Sequence, residues 1–166
     1  NLKVPIVAAV NGPCAGAGMS IALAADIIVA GKSATFLQAF CNIGLVPDVG
    51  ATYHLPRKIG GARAAAMMLL GEKLPAEKAQ EWGLVWEVVE DNRLLEAAEE
   101  IAKKLGNGPT VGLNLIRGLL AASEGNDFSA QLGIEARAQS AAGATDDFKE
   151  GVKAFLEKRP AAFTGR

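Results

Sequence analysis

The chain has 166 residues, one domain's worth and enough to bury a sizeable core. Lys plus Arg number 17 and Asp plus Glu 18, so the net charge of −1 offers no electrostatic footprint for nucleic acid or an anionic membrane. Half the residues are apolar and 21% are charged, which excludes disorder as the main state, while no apolar run reaches the roughly 18 residues of a membrane span. Residues 4–10 (VPIVAAV) form a short β-branched run that predicts a buried strand, with Pro5 near its start. Then comes NGPCAGAGMS, whose glycines and proline mark a tight turn that no regular element would choose. Residues 19–25 predict a short buried helix, 26–31 a return to β structure, and 40–52 a second loop.

After residue 60 the texture becomes helical. Residues 61–71 are rich in Ala, Met and Leu and stop at Gly71, and 75–82 place Pro75 in a first turn. Residues 84–89 predict a strand. Residues 92–105 put Leu94, Leu95, Ala98, Ile101, Ala102 and Leu105 on one helical face. Two helices follow over 110–122 and 128–140, separated by the Gly125-Asn126-Asp127 turn. The last helix starts at Thr145, a good N-cap, with Asp146 and Asp147 in its first turn. Phe148, Val152, Phe155 and Leu156 then share one face. The chain starts at Asn1, reads as one entered partway, and shows nothing like a signal peptide; with two cysteines this points to a reducing cytoplasm.

Two turns could carry chemistry. In NGPCAGAGMS, glycines after a strand and before a helix let the backbone adopt positive φ and approach a ligand. The helix start aims N–H groups at the same place, where they could stabilise an acyl oxyanion; equally, small residues there could simply let a helix pack on a sheet. Gly16-Ala17-Gly18-Met19-Ser20-Ile21 is no dinucleotide fingerprint, because Ile21 stands where the third glycine belongs and Leu37-Gln38-Ala39 supplies no acid. The second turn, Leu45-Val46-Pro47-Asp48-Val49-Gly50-Ala51-Thr52, sets Asp48 among apolar and small residues. A carboxylate in an apolar pocket is poised for proton transfer, while an Asp after Pro is also a ready N-cap for a helix over 52–58; the two readings are compatible.

Other candidates weigh less. Cys14 and Cys41 read as apolar fillers, and with His54 as the single histidine they argue against a Cys/His zinc site. Ser20 has no base within sequence reach, so a Ser-His-Asp triad is unsupported. Trp82 and Trp86 read as core or interface packing residues. Lys158 and Arg159 suit the negative end of a helix dipole.

Taken together, PIVAAVNGPCAGAGMSIALAADIIVAG, ATFLQAFCNIGLVPDVGATYHLPRKIG, GEKLPAEKAQEWGLVWEVV and DDFKEGVKAFLEKR resemble the crotonase, or enoyl-CoA hydratase/isomerase, superfamily, over essentially the whole chain. The resemblance implies an α/β fold: a ββα spiral followed by helices that trimerise. Residues 1–90 would be the C-terminal part of the spiral core and 91–166 the helical trimerisation region, with the N-terminal part of the fold missing. It implies an acyl-CoA thioester substrate, no cofactor beyond the coenzyme A of that substrate, a homotrimer or dimer of trimers, and neither nucleic acid nor membrane as partner.

The family stabilises an enolate with two backbone N–H groups. One falls in Gly16-Ala17-Gly18 and is assigned by position to Ala17; the other lies in a segment many tens of residues earlier, so this chain alone should not be catalytic. Family hydratases carry two glutamates, at positions matched by Ser20 and Phe40, and neither acid is present. An aspartate at Asp48, where hydratases usually carry glycine, resembles the ring-1,2-epoxyphenylacetyl-CoA isomerases of phenylacetate degradation. These convert the epoxide to the oxepin thioester and also move enoyl double bonds. The 4-chlorobenzoyl-CoA dehalogenases also carry aspartate at this turn, but pair it with tryptophan where Phe40 stands. The resemblance therefore implies Asp48 as proton shuttle, Gly16, Gly18 and Phe40 as substrate-binding residues, and Phe155 and Lys158 at the CoA nucleotide of a neighbouring subunit. A hydratase, or a non-catalytic subunit of the same fold, would be the alternative.

Overall fold

The computed structural model describes residues 2–166. It divides into two compact units, one spanning Ile6–Ile101 and the other Ala102–Arg166 together with the described residues through Pro5.

The first unit holds two small sheets. Strands β1 (Val7–Val10) and β3 (Ile27–Gly31) pair in parallel, and β6 (Glu87–Val89) adds in parallel to the other edge of β3. A strand with neighbours on both sides reads as an unbroken apolar run, and Ile28, Val29 and Ala30 are buried. The strand expected over 4–10 begins only at Val7, past Pro5, which has no N–H to give a ladder. The second sheet corrects the sequence reading. Pro13–Ala15, inside the stretch expected to hold no regular element, is strand β2. It pairs in parallel with β4 (Thr35–Leu37), which pairs antiparallel with the two-residue β5 (Leu74–Pro75). Pairing across some twenty residues of chain overrides the local turn signal of Gly12 and Pro13.

Helix α1 (Ala17–Leu23) follows β2, and a 3-10 helix spans Ala39–Ile43. Helix α2 (Ala51–Ile59) leads into α3 (Gly61–Leu70), which ends on Gly71 at φ 59°, as its position predicts. Helix α4 covers Ala76–Glu81 with Pro75 at its N-cap. Met19, Leu23, Ile28, Phe36, Leu55 and Leu84 build one core from both sheets and the helices around them. A short 3-10 turn over Asp91–Arg93 introduces α5 (Leu94–Gly106), and the division between units falls within that helix.

In the second unit, α6 (Thr110–Ser123) packs on α7 (Phe128–Gly143), which Asp127 caps by accepting the Ala130 N–H at 2.8 Å. Helix α8 (Asp146–Glu157) starts as predicted, with Thr145 Oγ1 accepting the Phe148 N–H at 3.1 Å. Buried Asp147 then accepts the N–H groups of Thr164 (2.7 Å) and Gly165 (3.0 Å), holding the C-terminal tail on α8.

Candidate functional site

The turn between β2 and α1 is set by Gly16, at φ 53° and ψ −129°, a conformation open to glycine alone among common residues. Its N–H donates to the Leu37 carbonyl at 2.9 Å, tying the turn to the end of β4. Its carbonyl accepts from the Ser20 N–H (3.1 Å) and hydroxyl (3.2 Å). Ser20 is fully buried and spends its hydroxyl inside its own helix, so the position matched to an acid in hydratases has a packing role. The N–H groups of Ala17 and Gly18 meet no backbone acceptor among the described residues, and both residues are exposed. Helix α1 therefore presents unpaired donors at its first turn.

The structure brings Phe40 to this turn. A methyl group built on Gly16 would stand 3.8 Å from Phe40 Cζ, so the ring faces the glycine across a gap that one methyl would fill. Gly16, Ala17, Gly18 and Phe40 thus form one cluster, a half-buried ring beside open N–H groups.

Asp48 lies in the loop that follows, and here two expectations are corrected. It does not cap α2: Gly50 at φ 78° occupies the N-cap, and no side chain bonds there. Nor does this chain enclose it. Asp48 is exposed, as are Leu45, Val46 and Val49 around it, so the apolar walls that would desolvate the carboxylate are not supplied by these neighbours. Among the described residues its side chain has no hydrogen-bond or ion-pair partner.

On α2, His54 packs over Gly50, and burial lowers its pKa first, followed by the charges of Lys58 and Arg57. Lys58 is also lowered by burial and donates to the Ala25 carbonyl at 3.3 Å. Burial pushes the Cys14 thiol up, as befits a filler. Trp82 packs against the core beneath the Arg63 guanidinium, whereas Trp86 is 72% exposed and takes no part in the core.

Phe155 and Lys158 belong to the second unit. Phe155 is 82% exposed and lines a groove of about 420 Å³ with Phe148, Val152, Leu156 and Phe163. Lys158 ends α8 in the left-handed conformation, φ 53°, and its N–H donates to the Phe155 carbonyl at 3.2 Å. Arg159 turns back to Glu150 through two hydrogen bonds of 2.6 and 3.0 Å and depresses that carboxyl to about 2.

Sequence reasoning missed two features near the site. Gln38, one residue beyond the Leu37 acceptor, is fully buried, and neither carboxamide atom has a partner among the described residues. Val49 adopts φ 49°, and the Gly50 that follows it was the available signal of a tight turn. Among the described residues no cluster of three His, Cys, Asp or Glu could hold a metal ion, and no helix is long and apolar enough to cross a membrane.

Comparison with known proteins places the chain in a family. The model of the family described as enoyl-CoA hydratase/isomerase matches residues 1–166. The chain is 47% identical over 165 residues to the 1,2-epoxyphenylacetyl-CoA isomerase of Escherichia coli (strain K12), covering 99% of this chain and 63% of that protein. It is 48% identical over 163 residues to a Rhodobacter capsulatus protein named "Probable enoyl-CoA hydratase", covering 98% of this chain and again 63% of the relative. The crystal structure of an enoyl-CoA hydratase/isomerase from Cupriavidus metallidurans CH34 superposes with a TM-score of 0.94 at 41% identity, over 99% of this chain and 62% of that one. The chain thus spans somewhat less than two thirds of the length of these relatives. On the full-length family match and this shared fold, the chain belongs to the enoyl-CoA hydratase/isomerase family.

Proposed function

We propose that the whole protein is an acyl-CoA thioester isomerase, acting on ring-1,2-epoxyphenylacetyl-CoA to give the oxepin thioester, on enoyl-CoA double bonds, or on both. The observation that carries this reading is the acid pattern. Ser20 is consumed by the Gly16 carbonyl, Phe40 is a ring, and Asp48 is the one carboxylate in the two turns. Water addition needs groups that both position water and move protons, whereas a single carboxylate suffices to relocate one proton.

In this reading the thioester oxygen sits against the Ala17 N–H and a second donor from outside the described residues. Enolate charge develops on that oxygen, and each such donor contributes about 3–4 kcal/mol in comparable sites. For a 3-enoyl ester, Asp48 takes a proton from the α-carbon and returns it to the γ-carbon. The double bond then moves into conjugation with the thioester, and no proton is gained or lost. Gly16 and Gly18 let the acyl group approach the backbone, and Phe40 offers its ring. Phe155 and Lys158 reach the CoA nucleotide of a neighbouring subunit in a trimer or dimer of trimers. The reaction needs no cofactor beyond the coenzyme A of the substrate and takes place in the cytoplasm. The name of the E. coli relative supports the isomerase reading; that of the Rhodobacter relative favours a hydratase as the second reading.

The full-length protein incubated with a 3-enoyl-CoA in D₂O tests this by NMR. The expected result is the 2-enoyl ester with deuterium in the acyl chain, reduced about 10²-fold or more in Asp48→Asn while ester binding persists. Undiminished exchange in that variant would sink the assignment. A 3-hydroxy product would make the protein a hydratase.

A further inference from the structure

Asp48, Val49, Gly50 and Ala51 form a reverse turn closed by the Ala51 N–H donating to the Asp48 carbonyl at 3.0 Å. Both central residues have positive φ, 49° at Val49 and 78° at Gly50, which makes this a type I′ turn. Such a turn normally takes Asn, Asp or Gly at its first central position. A β-branched residue there is a true backbone outlier.

The valine side chain does not hold the turn, because it is 56% exposed. The flanks do. Ala51 is fully buried at the start of α2. The Gly50 carbonyl accepts the N–H groups of both Tyr53 and His54 at 3.0 Å. A Cβ on Gly50 would stand 3.3 Å from His54 Cδ2, so the imidazole closes over the turn. Pro47 restricts the approach on the other side. Backbone strain that its surroundings over-determine is characteristic of functional segments. Here it adjoins a carboxylate that no side chain orients among the described residues.

From this we infer that Val49 is a positioning residue whose left-handed backbone aims the Asp48 carboxylate at the proton it moves. The inference rests on the reading of Asp48 as the proton carrier. What matters is the backbone conformation of residue 49, and the valine side chain is dispensable.

The test uses the full-length protein and the 3-enoyl-CoA assay in D₂O. Val49→Pro forces φ to about −65° and excludes the turn. Its kcat should fall about 10²-fold with KM nearly unchanged, as for a misplaced catalytic group. Val49→Asn, which accepts positive φ, should keep kcat near that of the native protein and raise Tm. In the Asp48→Asn background, Val49→Pro should cause no further loss, because the two residues act as one unit. Should Val49→Pro fold poorly, Gly50→Ala disturbs the same turn and should show the same split between kcat and KM. Unchanged kcat in Val49→Pro, or in Gly50→Ala, overturns the positioning role, as does an equal loss in Val49→Asn. Full activity in Asp48→Asn instead overturns the proton-carrier reading beneath it.

Discussion

Two glycines two residues apart in the turn from β2 into α1 should respond to alanine with opposite signs. At Gly16 the added methyl meets Phe40 Cζ at 3.8 Å and Cε2 at 3.9 Å, ordinary contact, so space is not the obstacle. The obstacle is the backbone, because φ 53° with ψ −129° is a region side chains disfavour. Gly16→Ala should therefore cost about 1–3 kcal/mol, or, for a domain of this size, about 2–12 °C in Tm. At Gly18 the added methyl meets nothing within 4 Å, and the residue lies inside α1. Gly18→Ala should stabilise by about 0.5–1 kcal/mol through reduced freedom of the unfolded chain. Thermal melts of both variants beside the native protein provide the assay, with urea midpoints as the check. A Gly16→Ala variant as stable as the native protein would refute the strain argument. If Gly18→Ala were the more damaging of the two, the helical placement of that residue would fall with it.

Truncating Leu55, which is fully buried, should destabilise by about 2–5 kcal/mol through lost burial and a residual cavity, measured by urea unfolding. The pH dependence of stability should carry the mark of Glu150, whose carboxyl is held at about 2 against an ordinary 4.5 by Arg159 first and the Ala162 N–H second. The unfolded chain binds this proton at higher pH than the folded chain does. Its contribution is therefore complete above about pH 4.5 and lost as pH falls toward 2. Arg159→Leu should flatten that decline in urea midpoints taken across the window, and an unaltered slope would contradict the pairing.

Most helices were legible because their signals are local. Thr145 and the two aspartates after it announce α8, and the Thr145 hydroxyl is found on the Phe148 N–H. Gly71 ends α3 in the left-handed conformation its position predicts. Asp127 caps α7 where the Gly125-Asn126-Asp127 turn was expected. The candidate site was legible in its composition but only partly in its geometry. Gly16 and Ala17 stand where a strand feeds a helix, as the sequence suggests, and Phe40 joins them only because Gly16 is tied to Leu37. The expected cap role of Asp48 failed because Gly50, two residues on, takes the N-cap with a positive φ that few other residues tolerate.

The sequence by itself determined the family, the α/β fold with its helical C-terminal region, and the acids present or absent at each turn. These depend on residue identity, on spacing and on bonds between near neighbours. Tertiary structure alone decided that Pro13–Ala15 is a strand and that Asp48 is exposed on a turn held at Val49. Each of those outcomes is set by partners distant in the chain or by packing that over-determines a costly backbone. Local propensity is too weak a term to specify either.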